Sequence, residues 1–100
     1  MRHALQLNLI VGFRHKGLKR LFEQDDARGI RPDLVDRIRT ILSQLDEART
    51  IEDMRMTSFR LHALKGGMKG LWSVTVRANW RIMFRFEDGD ADDVELIDYH

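Results

Sequence analysis

No cysteine occurs among the 100 residues, which excludes a disulfide framework, a thiolate metal site and a cysteine nucleophile. Any chemistry must come from His, Asp, Glu, Lys, Arg, Tyr, Ser or Thr. A long apolar run is also missing. The stretch Leu5 to Phe13 is broken by Gln6, Asn8 and Gly12, falls well short of the roughly 20 residues of a membrane span, and lacks a small-residue cleavage pattern. Neither a signal peptide nor a transmembrane helix is expected, and the absence of cysteine makes the cytoplasm the expected location. Proline occurs once, at Pro32, and there are no repeats or low-complexity tracts, so a single domain over residues 1–100 is expected.

Nor does one sign of charge dominate, with 17 Lys and Arg against 16 Asp and Glu. The balance hides an asymmetry. Residues 86–100 carry Glu87, Asp88, Asp90, Asp92, Asp93, Glu95 and Asp98 and no Lys or Arg, which leaves the rest of the chain strongly basic. A basic working surface makes nucleic acid a candidate partner.

Hydrophobic periodicity predicts an α+β fold. Leu7 to Phe13 reads as a short strand, followed by a basic helix from about Lys16 to Gln24 with Leu18, Leu21 and Phe22 on one side. Pro32 suits the first turn of a second helix, in which Leu34, Val35, Ile38, Ile41, Leu42 and Leu45 form an apolar stripe. Asp33 is spaced to pair with Arg37 on its outer face. Thr50-Ile51-Glu52-Asp53 resembles a capping box opening a single turn that ends near Met54.

From Phe59 onward the period changes to two. Phe59, Leu61 and Ala63, then Trp72, Val74 and Val76, then Trp80, Ile82, Phe84 and Phe86 alternate with polar residues, and a last strand near Asp93 to Tyr99 turns Val94 and Leu96 inward. Residues facing each other across a hairpin share a face. A three-residue loop Arg77-Ala78-Asn79, with Asn79 left-handed, would set Val76 opposite Trp80, and the same parity demands an odd loop around Asp88-Gly89-Asp90. The expected architecture is an antiparallel sheet of about four to five strands with two N-terminal helices packed on one face. The other face would bear Arg60, His62, Thr75, Arg81 and Arg85, with no third layer to cover it.

His62, with Lys65 three positions on and Arg81 on a nearby strand, can combine a proton-transferring imidazole with cations that stabilise charge on a phosphate. Asp98-Tyr99-His100 directly follows a strand and adds three proton-active groups, of which Tyr99 could stack on a base. Lys65-Gly66-Gly67-Met68-Lys69-Gly70 lacks the spacing of a phosphate-binding P-loop, although its lysines can still contact phosphates. His3, His15, His62 and His100 show no metal-ligand spacing, so neither a metal nor a cofactor is expected.

The strings Phe13-Arg14-His15-Lys16-Gly17-Leu18, Gly29-Ile30-Arg31-Pro32, Ile51-Glu52-Asp53-Met54, Phe59-Arg60-Leu61-His62-Ala63-Leu64-Lys65-Gly66, Lys69-Gly70-Leu71-Trp72-Ser73-Val74, Asn79-Trp80-Arg81-Ile82, Phe86-Glu87-Asp88-Gly89-Asp90-Ala91 and Asp98-Tyr99-His100 carry a family resemblance. Together, over about residues 10 to 100, they resemble the HigB, or plasmid-maintenance killer, toxins of the RelE/ParE superfamily. The resemblance implies a type II toxin–antitoxin toxin with a RelE-like microbial ribonuclease fold, cutting mRNA in the ribosomal decoding site by 2′-OH attack on the scissile phosphate, without metal or cofactor. Its implied partners are the ribosome, mRNA and a HigA-like helix-turn-helix antitoxin, through which alone it would meet operator DNA. The implied catalytic residues are His62, Lys65, Arg81, Asp98, Tyr99 and His100, with Arg60, Lys69, Arg77 and Arg85 as candidate RNA contacts. Such toxins usually begin near what is here Ile10 or Val11, so Met1 to Leu9 reads as an extension, expected to be mobile or to lengthen the first strand.

Two other readings share these features. A ParE-like poison of DNA gyrase would need no acid-base set and would leave mRNA intact. A non-catalytic module binding nucleic acid or antitoxin would bind without cutting.

Overall fold

A computed structural model describes residues 10–66 and 70–99, so the expectations for Met1 to Leu9, Lys69 and His100 lie outside the described residues. Helix α1 spans Lys16–Gln24, as the apolar spacing predicts. His15 opens it, its Nδ1 accepting a hydrogen bond from the Leu18 N–H at 3.1 Å, which satisfies one of the donors a helix start leaves unpaired. Asp25 closes it in the left-handed conformation at φ 55°. Leu18 and Leu21 are buried, and Phe22 packs on Phe13 with ring centroids 5.7 Å apart.

The start of α1 is pressed against the turn before Pro32 through two glycines. A Cβ on Gly17 would lie 2.7 Å from the Gly29 carbonyl oxygen, and one on Gly29 would lie 2.9 Å from the Gly17 Cα. Backbone stands on both sides and neither can yield as a side-chain tip would. Gly17→Ala is therefore expected to destabilise by about 1–3 kcal/mol as overpacking, despite alanine's better helix propensity, and urea unfolding of the variant reads the sign directly.

Pro32–Leu34 forms a 3-10 turn that leads into α2, Val35–Glu47. Leu34, Ile38, Ile41, Leu42 and Leu45 are all buried, with Val35 at the margin. The expected Asp33–Arg37 pair does not form. Arg31 takes Asp33 in a two-pronged contact, Nε to Oδ1 at 3.0 Å and Nη2 to Oδ2 at 2.8 Å, because Asp33 lies in the 3-10 turn rather than in α2. Arg37 turns instead to main-chain carbonyls of another element. Ile51–Met54 is the anticipated single turn, with Asp53 accepting from the backbone N–H groups of Arg49 and Thr50.

The sheet contains β1 (His62–Ala63), β2 (Leu71–Arg77), β3 (Trp80–Glu87) and β4 (Asp90–Asp98), antiparallel throughout and ordered β1-β2-β3-β4. Of the expected first strand, the described residues retain two parallel bridges to β4, Ile10↔Ala91 and Phe13↔Val94; Leu7 to Leu9 lie outside them. The alternation that begins at Phe59 does not start a strand there. Thr57–Phe59 is a 3-10 turn and Arg60 has φ 51°, a left-handed conformation that cannot continue an extended chain. Phe59 is nonetheless buried at 1% exposure, carried inward by a turn.

Both hairpins satisfy the face parity, but by bulges rather than by odd loops. Arg77 pairs with Trp80 across a two-residue turn in which Ala78, not Asn79, is left-handed at φ 50°, and Val76 is the extra residue between Thr75↔Arg81 and Arg77↔Trp80. Glu87 pairs with Asp90 across Asp88-Gly89, both at positive φ. There the extra residue falls on β4, between Met83↔Glu95 and Arg85↔Asp92, with Asp93 at φ 53°. A bulge inserts one residue and restores the inward set beyond it.

Val74, Val76, Ile82, Phe84, Ala91, Val94 and Leu96 thereby join the buried residues of α1 and α2 in one apolar cluster, with Trp72 and Trp80 packed at its margin. Surface carboxylates tune this fold to pH. Hydrogen bonds from the Arg28 side chain and backbone hold Asp26 down at about 2 from 3.8, and Asp33, Glu52 and Asp53 are lowered by hydrogen bonds from Arg31, Arg55 and the Arg49 backbone respectively. A carboxyl lowered by folding adds stability above its unfolded value and loses it as pH falls toward the folded one. The urea midpoint is expected to be flat from neutrality to about pH 5 and to fall below about pH 4. Added salt should blunt the effect, since these groups are exposed.

Candidate active site

Strand alternation sorts Trp72, Val74, Ile82 and Phe84 to the core and Ser73, Thr75, Arg81 and Met83 to the other face. On that second face lies a groove of about 250 Å³ lined by Arg60, His62, Leu64, Ser73, Thr75, Arg81, Met83, Ile97 and Tyr99. Two guanidiniums, an imidazole, a phenol and two hydroxyls converge there, and no carboxylate is among the lining residues. In electrostatic terms it is a site for an anion.

Each side chain is delivered by a particular piece of local structure. The left-handed Arg60 turns the chain out of the 3-10 turn and into β1, where His62 pairs with Ser73. Arg81 pairs with Thr75, so His62 and Arg81 flank β2 from either side, their backbones about 12 Å apart across two strand spacings and a two-residue offset along β2. That gap suits a phosphodiester held between the two side chains. The Arg81 Nη1 donates to the carbonyl oxygens of Ala78 at 2.8 Å and Trp80 at 3.3 Å, and its Cζ stands 5.9 Å from the Tyr99 ring centroid. Carbonyls orient a guanidinium without neutralising it, so the positive charge stays available to a ligand. The Tyr99 N–H donates to the Asn79 carbonyl at 2.7 Å, which ties the chain beyond β4 to the same hairpin turn that holds Arg81. Tyr99 is 58% exposed, so one ring face is open for stacking.

The structure brings together only part of the expected set. Arg60, His62, Arg81 and Tyr99 share the groove. Lys65 is exposed just past β1 and is not among the lining residues. Asp98 pairs with Trp80 in the register of β4, and strand alternation turns it to the core-side face, opposite to Arg81 and Ile97. Arg77 sits at the hairpin end, 3.8 Å from Asp33. Arg85 lies on the same face as the groove but farther along, 3.5 Å from Asp93 in a neighbouring depression that Arg14 and Glu95 also line.

Ser73, Leu64, Met83 and Ile97 were not singled out from the sequence. For Ser73 and Met83 the signal was present, since both share strand parity with Thr75 and Arg81. Among the described residues no group of three His, Asp or Glu is arranged to hold a metal ion, and no helix is long and apolar enough to cross a membrane.

A small α+β chain whose sheet presents a groove of arginine, histidine and tyrosine, with no carboxylate among its described lining residues, has the make-up of an anion site with acid-base groups at hand. The sequence model of the family described as RelE-like toxin of type II toxin-antitoxin system HigB matches residues 11–100, and the chain belongs to that family. Among its relatives, the protein named endoribonuclease HigB from Proteus vulgaris is 47% identical over 92 residues, 92% of this chain and 100% of that protein. Membership makes the chain the toxin half of a toxin–antitoxin pair, and so implies an antitoxin partner.

Proposed function

We propose that the chain is an endoribonuclease that cuts mRNA in the ribosomal decoding site and so stops translation, on a RelE-like microbial ribonuclease fold with both helices behind one face of the sheet. The observation that carries this reading is the groove itself: His62, Arg60, Arg81 and Tyr99 around a cavity with no carboxylate among its described lining residues, in a chain 47% identical to a named endoribonuclease. The whole chain acts as one domain in the cytoplasm, where ribosomes and mRNA are. Its antitoxin is a HigA-like helix-turn-helix protein, which alone brings it to operator DNA.

The reaction is a transesterification. The ribose 2′-oxygen attacks the adjacent phosphorus, the P–O5′ bond breaks, and the products are a 2′,3′-cyclic phosphate and a 5′-hydroxyl. One proton leaves the 2′-OH and one joins the departing 5′-oxygen. His62 is the acid-base group inside the groove. Arg81, with Arg60 from the far side of β2, binds the non-bridging oxygens and stabilises the charge that grows on them in the transition state. Tyr99 stacks on a base, its ring already backed by the Arg81 guanidinium. Lys65, from the end of β1, adds a third positive charge at the phosphate. His100 shares the proton traffic from the chain end, the register having turned Asp98 away from the groove, and Lys69, Arg77 and Arg85 contact RNA outside the groove.

Incubation of the purified protein with programmed ribosomes, followed by primer extension, tests the proposal. Discrete new 5′ ends on the mRNA are expected. Replacing the scissile ribonucleotide by its 2′-deoxy counterpart should abolish cutting there while leaving binding intact, because the nucleophile alone is missing. Intact mRNA on fully programmed ribosomes, or undiminished cutting at the 2′-deoxy site, would overturn it.

A further inference from the structure

The side chain of Arg37 reaches from α2 to two segments that build the groove. Its Nη2 donates to the Ser58 carbonyl at 2.6 Å and to the Thr75 carbonyl at 3.1 Å, and its Nε donates to the Val76 carbonyl at 3.2 Å. The Nη1 lies 3.4 Å from the Ser58 hydroxyl, and the Cζ stands 5.1 Å from the Phe59 ring centroid. Among the described residues, only main-chain carbonyls, one hydroxyl and a ring face receive this guanidinium.

The place where it does so explains the need. β1 pairs with β2 no further than His62↔Ser73, so beyond Ser73 the outer edge of β2 has lost its neighbouring strand. Val76 is also the bulged residue of β2, which a regular ladder leaves unpaired. A planar fork of five donors stands in for the missing strand. With its other prong it fixes the turn Thr57–Phe59, which hands the chain on to Arg60 and His62. One side chain thus sets the position of Thr75, the register partner of Arg81, against the segment that presents Arg60 and His62.

We propose that Arg37 is a positioning residue of the groove: from the helix side of the sheet it holds the β2 bulge and the Thr57–Phe59 turn at a fixed separation, and so sets His62 and Arg60 against Arg81. It touches no substrate. The proposal rests on the endoribonuclease reading for its kinetic consequence, though not for its structural one. Lysine keeps the charge but cannot fork to three carbonyls, and it is too strongly hydrated to lie flat on Phe59. Charge alone therefore should not rescue the function.

Two variants, Arg37→Lys and Arg37→Met, are to be compared with the parent by amide hydrogen exchange and by cleavage with toxin in excess over programmed ribosomes. In Arg37→Lys the thermal unfolding midpoint should change by only a few degrees, while protection is lost at the amides of His62 and Ser73, which face each other across β1 and β2, and kept in α1 and β4. The cleavage rate at saturation should fall about 10–100-fold, as a misplacement of about 1 Å in a site demands, with the half-saturating toxin concentration within about threefold of the parent. Arg37→Met should lose as much rate or more; should it fail to fold, Arg37→Lys decides alone. Parental cleavage and parental exchange in a folded Arg37→Lys would overturn the proposal. So would a rate loss that follows only the unfolded fraction, since that is a structural role. If the parent itself cuts no RNA, the proposed activity falls, and the exchange pattern alone still decides whether Arg37 holds the groove.

Discussion

Arg81→Ala is expected to slow mRNA cleavage about 10²–10³-fold at saturating ribosomes, the usual loss for a group that meets charge developing only in the transition state. At about 1.4 kcal/mol per tenfold, this is on the order of 3–4 kcal/mol of stabilisation. The effect should fall on the rate more than on half-saturation, because the same phosphate bears less charge on its non-bridging oxygens before the attack. Arg81 is held for this task by the Ala78 carbonyl at 2.8 Å and the Tyr99 ring at 5.9 Å, so Arg81→Lys, which cannot share itself among carbonyl, ring and phosphate, should recover little. The fold should survive, since the groove is open and the core lies on the other face. Primer-extension time courses on programmed ribosomes measure the rate. A loss under threefold would remove Arg81 from the reaction and leave the groove without its best-placed cation.

The second large effect is on stability. Phe84 is fully buried at the middle of β3, faces Trp72 in the β2 register, and packs edge-on against Phe86 at 6.4 Å. On its other side β4 bulges, so that Phe84 meets two β4 residues where one is usual. Phe84→Ala is expected to cost about 3–5 kcal/mol, a large share of the 5–15 kcal/mol a domain commonly has. For a chain of this length the melting temperature should drop by on the order of 15–25 °C. Phe84→Leu, which leaves a smaller void, should lose roughly half as much. Thermal and urea unfolding read both variants, and a loss under 1 kcal/mol for the alanine would mean that the residue does not sit where the sheet puts it.

Helix α1, the stripe of α2, the turn Ile51–Met54 and the inward residues of three strands were legible because each depends on residues near in sequence. A 3.6 or 2.0 period is written locally, and so is the restraint of Pro32. The limits are equally local in origin. The parity of the hairpins could be inferred, yet not whether an extra residue sits in the loop or in the strand, since both satisfy the pattern. The alternation at Phe59 to His62 is real, but the left-handed Arg60 divides it between a turn and a strand, and nothing in the residue type announces that.

The candidate site divides in the same way. His62, Arg81 and Arg60 were placed on one face by parity, and Tyr99 by its position after β4. Lys65 and Asp98 share motifs with them in sequence, whereas the register turns Asp98 to the Trp80 side and leaves Lys65 beyond the lining. Arg37 pointed to Asp33 by helical spacing. Its actual partners, Ser58, Thr75 and Val76, lie 21 to 39 positions away.

By itself the sequence determined the element types, the inward faces and the kinds of chemistry at hand, because periodicity, proline and the residue inventory act over one or two turns of chain. Only the tertiary structure decided which charges are spent on backbone or carboxylates and which stay open to a ligand. That outcome depends on bulges and on contacts between distant segments, which exist only once the sheet has closed on its helices.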